Sequence, residues 1–330
     1  MTARDSSRVR IGISSCLLGE KVRFDGGHKK DEFLTSHFGR YVEWVPVCPE
    51  FEIGLGVPRE SLRLVADGKN VRLVAPRSGL DHTERMNNWT KQQTRHLVDQ
   101  GLCGYVLKRS SPSCGLERVK VYSGSGLLNR DGRGLFASGL VDRFPNLPME
   151  EEGRLNNARF RENFVSQVFC YKRWMDLQVE GLTRARIMQF HARHKFLLMA
   201  HEQAGMRRLG NLIGQAARSI SAKQLGVEYF DTFCEVMRHT PSRRNHSNVL
   251  QHLAGYFSEQ LAPDDRAELS EVIDRYRRDR LPLIVPVTLI RHYVRKLNVE
   301  YLRDQIYLDP HPDELKLLNQ LRRGSKGLRG

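Results

Sequence analysis

The chain has 330 residues, 40% of them hydrophobic and 28% charged, which suits two soluble globular domains and argues against a disordered chain. No stretch approaches the roughly 18 uninterrupted apolar residues of a spanning helix, and the polar N-terminal residues carry no signal-peptide core, so a cytoplasmic protein without a membrane segment is expected. Lys and Arg outnumber Asp and Glu by 53 to 38; the net charge of +15 divides into +6 over residues 1–150 and +9 over the rest, so the excess belongs to the folded body and suits a polyanionic partner.

In chain order, Val9–Ser14 (VRIGIS) reads as a strand running into a Cys-Leu-Leu-Gly loop, and Val42–Val47 (VEWVPV) as a second strand stopping at Cys48. Val71–Pro76 is a third apolar run. A helix follows over about Asp81–Gln100, and then Gly104–Lys108 (GYVLK) enters the loop Ser110–Gly115 (SSPSCG). Strands alternating with helices predict an α/β domain with a mainly parallel, Rossmann-like sheet. Residues 145–155 form the expected boundary, giving domains at 1–155 and 156–330. Beyond it the apolar positions recur at helical spacing, with residues 156–180 as a connecting helix, so the second domain is expected to be all-α. Breakers are expected at Gly205, Gly210, Pro241, Pro282, Pro286 and Pro310, and a loose basic tail over Arg322–Gly330.

Six cysteines in a reducing compartment read as ligands or reactive thiols where they sit in Gly-, Ser- and Pro-rich loops. Cys16, Cys48 and Cys114 each follow a predicted strand. Loops at the carboxyl ends of parallel strands converge, so the three can meet despite the spacing C-x31-C-x65-C. Read from residues alone, they are either a soft-metal or cluster site or small buried hydrophobes. Cys103, Cys170 and Cys234 lie in apolar or helical contexts and read as packing. His191, His194 and His201 recur at helical spacing, but their stripe also holds Phe190, Leu197 and Leu198, which favours a helix–helix contact over a metal site.

The segments SSCLLGEKVRFDGGHK (Ser14–Lys29), PVCPEFEIGLGVPRE (Pro46–Glu60) and VLKRSSPSCG (Val106–Gly115) resemble the three signature segments of the thiouracil desulfidase (TudS-like) family. The second half, with FHARHKFLLMAH (Phe190–His201) and NHSNVLQHLAGYF (Asn245–Phe257), resembles the helical YbgA-type domain. The pairing is similar to the two-domain desulfidases that act on 4-thiouridine in transfer RNA.

The resemblance implies a 4Fe–4S cluster held by Cys16, Cys48 and Cys114, with one iron left open. It implies Glu50 and Ser111 as catalytic residues, and Ser113, Lys108, Arg23 and Asp25 as substrate-positioning ones. The expected reaction is a hydrolytic, non-redox desulfuration that converts 4-thiouridine in tRNA to uridine and releases hydrogen sulfide. Desulfuration of free thiouracil or thiouridine monophosphate is a second expectation, and a non-catalytic iron–sulfur protein that binds RNA or senses is a third. For RNA contacts, Arg243 and Arg244 at a helix start, with Arg207, Arg208 and Lys195, are the candidates; Arg184 and Arg186 stand beside them.

Overall fold

In a computed structural model the described residues are 8–68, 70–123, 126–216, 220–315 and 317, so the expected tail at Arg322–Gly330 lies outside them. The chain divides into two compact units, Met1–Asn157 and Ala158–Gly330.

The first unit is α/β. Its strands are β1 (Val9–Ser14), β2 (Val42–Val47), β3 (Arg63–Asp67), β4 (Asn70–Val74), β5 (Gly104–Leu107), β6 (Val119–Ser123), β7 (Gly126–Gly132) and β8 (Met149–Glu151). Its α-helices are α1 (Pro49–Glu52), α2 (Thr83–Asp99), α3 (Leu135–Arg143) and α4 (Glu152–Leu155). One sheet runs β2-β1-β5-β8, every neighbouring pair parallel. Its central strands are almost wholly buried, β5 at all four positions, as a sheet covered on both faces requires. Helix α2 buries Met86, Thr90, Thr94 and Leu97, one stripe at helical spacing.

The apolar run at Val71–Pro76 does not join the parallel sheet. It forms β4, antiparallel to β3 at the edge of a second sheet ordered β4-β3-β6-β7. Gly68, at φ +59°, lets the chain turn back after Asp67, and a hairpin pairs its strands antiparallel.

The second unit is all helical: α5 (Ala158–Val179), α6 (Arg184–His201), α7 (Gln203–Ala216), α8 (Ala222–Arg238), α9 (Arg243–Gly255), α10 (Pro263–Arg277), α11 (Ile284–Lys296) and α12 (Glu300–Arg303). Side chains of Thr183, Ser221 and Ser242 cap α6, α8 and α9 by accepting a backbone N–H, and Pro263 opens α10. Its core centres on Trp174, stacked on Phe230 at 4.8 Å between centroids and 3° between planes. Gly205 and Gly210 do not break a helix; both lie inside α7. A Cβ on Gly205 would stand 2.2 Å from Val236 Cγ2 of α8, so the missing side chain permits close helix packing that outweighs glycine's poor propensity. Pro286 likewise sits in the first turn of α11, where a missing N–H costs nothing. No helix among the described residues is long and apolar enough to cross a membrane.

Candidate metal centre and active site

The parallel sheet changes direction of growth at β1: the chain places β2 on one side of it, then β5 and β8 on the other. At such a switch point adjacent loops separate and open a crevice outside the carboxyl ends of the strands. Cys16 sits there in the 3-10 turn Ser15–Leu18 after β1. Cys48 directly follows β2 and holds the N-cap position of α1, with Pro49 next. Cys114 lies farther out, in the loop after β5. All three line one cavity of about 370 Å³, together with Glu50, Arg59, Lys108 and Ser111.

Cys16 and Cys114 are buried, and Cys48 is half-buried. Burial pushes Cys16 up to about 11, with the neighbouring Cys48 adding to the shift and Lys108 and Arg23 opposing it. Cys48 is raised by burial, partly offset by a backbone N–H. Cys114 is raised well above an ordinary thiol by burial; a Ser14 hydrogen bond opposes this, while Glu50, Cys48 and Cys16 reinforce it. A metal entering this cavity must displace thiol protons, and each thiolate then gains a cationic partner.

The loop before Cys114 is tightly specified. Ser111 Oγ accepts from the backbone N–H of Ser113 at 3.2 Å and of Cys114 at 3.1 Å. A Cβ on Gly134 would meet the Ser113 carbonyl carbon and oxygen at 2.4 Å, so α3 can approach the cysteine loop only through glycine. Ser14, the last residue of β1, accepts from Lys108 N–H at 3.0 Å and hydrogen-bonds the Cys114 thiol. These contacts fix the Cys114 side of the cavity to the end of β1, two residues before Cys16.

Glu50 is held on both oxygens. Ser113 donates its hydroxyl to Oε1 at 2.9 Å, and Arg59 donates to Oε2 from Nε at 3.0 Å and Nη2 at 2.7 Å. Ser113 is completely buried, so it acts behind Glu50 and not on the cavity directly. Lys108 is paired with Glu152, whose other oxygen accepts from Arg109 N–H at 2.7 Å. Arg23 pairs with Asp25 at 3.3 Å and covers the Phe24 ring at 5.4 Å. Asp25 is exposed and accepts from Gly27 N–H at 3.0 Å; that bond, before the Arg23 contact, holds its carboxyl low. The pair shapes the turn at the cavity mouth.

The donor set fits an iron–sulfur cluster: three soft thiols past neighbouring strand ends, two buried and one half-buried, with Cys103 turned to the Gly101 carbonyl at 3.8 Å. Among the described residues no three His, Cys, Asp or Glu side chains converge tightly enough for a single metal ion. Ligands of a cluster attach to separate irons and need not converge on one point. Reading the sequence for motifs passed over Ser14, Arg59 and Glu152. Ser14 and Arg59 lie inside the quoted segments, and a Ser before the first cysteine and an Arg nine residues after Glu50 were their only trace.

The RNA candidates are dispersed over the helical unit. Arg243 joins α9 to the end of α10: it donates to Tyr276 O at 2.6 Å, pairs with Asp279 at 2.5 Å and covers the Tyr276 ring at 4.5 Å. Arg208 pairs with Glu235 and Glu202 at 3.2 and 3.5 Å. Arg184 and Arg186 donate to the Ile220 and Gly181 carbonyls. Arg244 and Arg207 are exposed, and Lys195 is half-buried. The histidine stripe is packed: His194 stacks on Phe190 at 3.9 Å, and His201 Nδ1 meets the His239 carbonyl at 2.6 Å. Cys170 and Cys234 belong to the same core.

Residues 11–152 match the family model described as 2-thiouracil desulfurase, and residues 195–312 match DUF1722, a family of unknown function. The uncharacterized protein YbgA of Escherichia coli (strain K12) is 29% identical over 163 residues, 49% of this chain and 96% of its own. The uncharacterized protein YbbK of Bacillus subtilis (strain 168) is 29% identical over 110 residues, 32% of this chain and 72% of its own. A solved structure of the 4Fe–4S-dependent thiouracil desulfidase TudS aligns with 44% of this chain and 93% of its own, at 28% identity and a TM-score of 0.36.

Proposed function

We propose, on the premise that residues 11–152 form a 2-thiouracil desulfurase domain and residues 195–312 a DUF1722 domain, that this protein hydrolyses the thiocarbonyl of a thiolated uracil. Its preferred substrate in this reading is 4-thiouridine in transfer RNA. The observation that carries the proposal is the meeting of Cys16, Cys48 and Cys114 with Glu50 and Ser111 around one cavity. A 4Fe–4S cluster held by the three thiolates would supply an iron without a protein ligand, a soft Lewis acid that prefers thiocarbonyl sulfur to carbonyl oxygen.

The chain's own groups do the rest. Glu50, fixed on both oxygens, stands at the wall to take a proton from the attacking water. Ser111 already accepts two backbone N–H groups, so what it offers the cavity is its hydroxyl hydrogen, a donor for an acceptor atom of the base. Water adds to the ring carbon, the carbon–sulfur bond breaks, and the sulfur leaves with two protons as hydrogen sulfide. The products are a carbonyl and hydrogen sulfide, with no electron exchanged. The basic helical unit supports RNA as the carrier of the base; a thiouridine stacked in folded RNA would have to be extruded to reach the cavity.

The test is anaerobic turnover by cluster-reconstituted protein of thiolated tRNA, thiouridine monophosphate and free thiouracil, read by mass spectrometry of nucleosides. Conversion of the RNA by wild type, and none by Glu50→Ala or Cys114→Ala, is the expected result. Conversion of the small substrates alone replaces the RNA reading with the mononucleotide one. No conversion by a cluster-loaded protein leaves a binding or sensing role.

A further inference from the structure

Arg59 stands nine residues after Glu50, beyond the short helix α1, and three groups of its side chain converge on different parts of the site. Nε and Nη2 both donate to Glu50 Oε2, at 3.0 and 2.7 Å, with the two side chains only 6% and 14% exposed. Nη1 donates to the carbonyls of Val22, at 2.9 Å, and Gly56, at 3.0 Å. Its backbone N–H donates to the Phe24 carbonyl at 2.9 Å. One residue therefore ties the carboxylate to the loop that follows it and to the Val22–Phe24 wall, whose Val22 carbonyl also receives the Cys48 thiol at 3.7 Å.

Charge-assisted bonds in so dry a place resist rotation, because moving Glu50 away would strand a buried guanidinium. With Ser113 on Oε1, the plane of the carboxylate is defined from both ends. A lysine could not reproduce the arrangement: its donors radiate from one nitrogen, whereas a planar fork reaches Oε2 and two carbonyls at once.

We propose that Arg59 is the positioning residue of this site, fixing the Glu50 carboxylate and locking it in register with the wall loop that substrate passes. The catalytic meaning of this rests on the desulfuration reading above; the geometric claim is tested separately from turnover. In the full chain, the infrared difference between wild type and Glu50→Gln isolates the Glu50 carboxylate band. Arg59→Gln shifts that band, and Arg59→Lys, which keeps the charge and guards against misfolding, shifts it less. An unmoved band in both variants overturns the proposal.

In turnover, Arg59→Gln lowers kcat about 100-fold with KM within about threefold, the pattern of misplaced catalytic geometry. The Arg59→Gln/Glu50→Gln double variant is no slower than Glu50→Gln alone, since Arg59 acts through that carboxylate. A loss confined to KM, or losses that multiply in the double variant, also overturns it. If wild type desulfurates nothing while the band still moves in Arg59→Gln, the positioning stands and the desulfuration reading falls.

Discussion

The hydroxyl of Ser14 accepts a hydrogen bond from the backbone N–H of Lys108 at 3.0 Å, joining the last residue of β1 to the first residue past β5. It closes the base of the crevice in which the cysteines meet. Ser14→Ala strands that N–H in a buried place and costs about 1–3 kcal/mol of stability. Urea denaturation measures it, and the same variant retains less iron after reconstitution because the Cys114 loop loses its anchor.

Iron content separates the cysteines into two groups. Cys16→Ser, Cys48→Ser and Cys114→Ser each lose most of the bound iron and acid-labile sulfide after anaerobic reconstitution. Cys103→Ser and Cys170→Ala keep it, since neither thiol lines the cavity. Full iron in any of the first three variants would sink the ligand assignment.

The two serines of the Cys114 loop give different kinetic defects. Ser111→Ala removes the donor facing substrate and lowers kcat by about 100-fold, the scale of a lost transition-state hydrogen bond. Ser113→Ala leaves Glu50 anchored by Arg59 alone and costs about tenfold. Equal defects would show that the loop is needed only as a fold element.

Acid weakens the helical unit through its buried histidines. Burial lowers His194 to about 3 and His201 to about 4, with Arg173, Arg193 and His191 opposing a charge on the first and His239 on the second. Their folded values lie below the unfolded one of about 6.5, so the unfolded chain binds more protons in between, and stability falls as pH drops through that window. Each contributes a slope of about 1.4 kcal/mol per pH unit there. Thermal unfolding followed from pH 7 to pH 4.5 reads the slope, and His194→Gln reduces it; a flat profile contradicts the neutral buried state.

Much of the site was legible because the strands announce themselves. Val9–Ser14 and Val42–Val47 are apolar runs broken by the cysteines, and the structure draws both strands with these bounds. Of the second sheet only the run that forms β4 was legible: β7 is exposed along nearly its whole length and carries Asn129, Arg130 and Asp131, so no alternation marks it. Arg59 escaped for another reason. Its meaning lies in a pairing across a helix and two loops, and nothing in the spacing of Glu50 and Arg59 encodes the direction of a guanidinium. Gly205 misled because a local breaker rule yields to the packing of α7 on α8, while Gly210 lies inside the same helix with no close contact that explains it.

The cavity wall is drawn from residues 16, 48 and 114, which follow three strands that sit side by side although the chain visits them in separate episodes. A growing polypeptide therefore cannot offer the three thiols together until residue 114 has emerged and β5 has found its place beside β1. Assembly order follows: sheet first, thiol trio second. Anything that then occupies the cavity binds the folded chain alone and holds three neighbouring strand ends against separation, so its binding energy is added to the stability of the whole sheet.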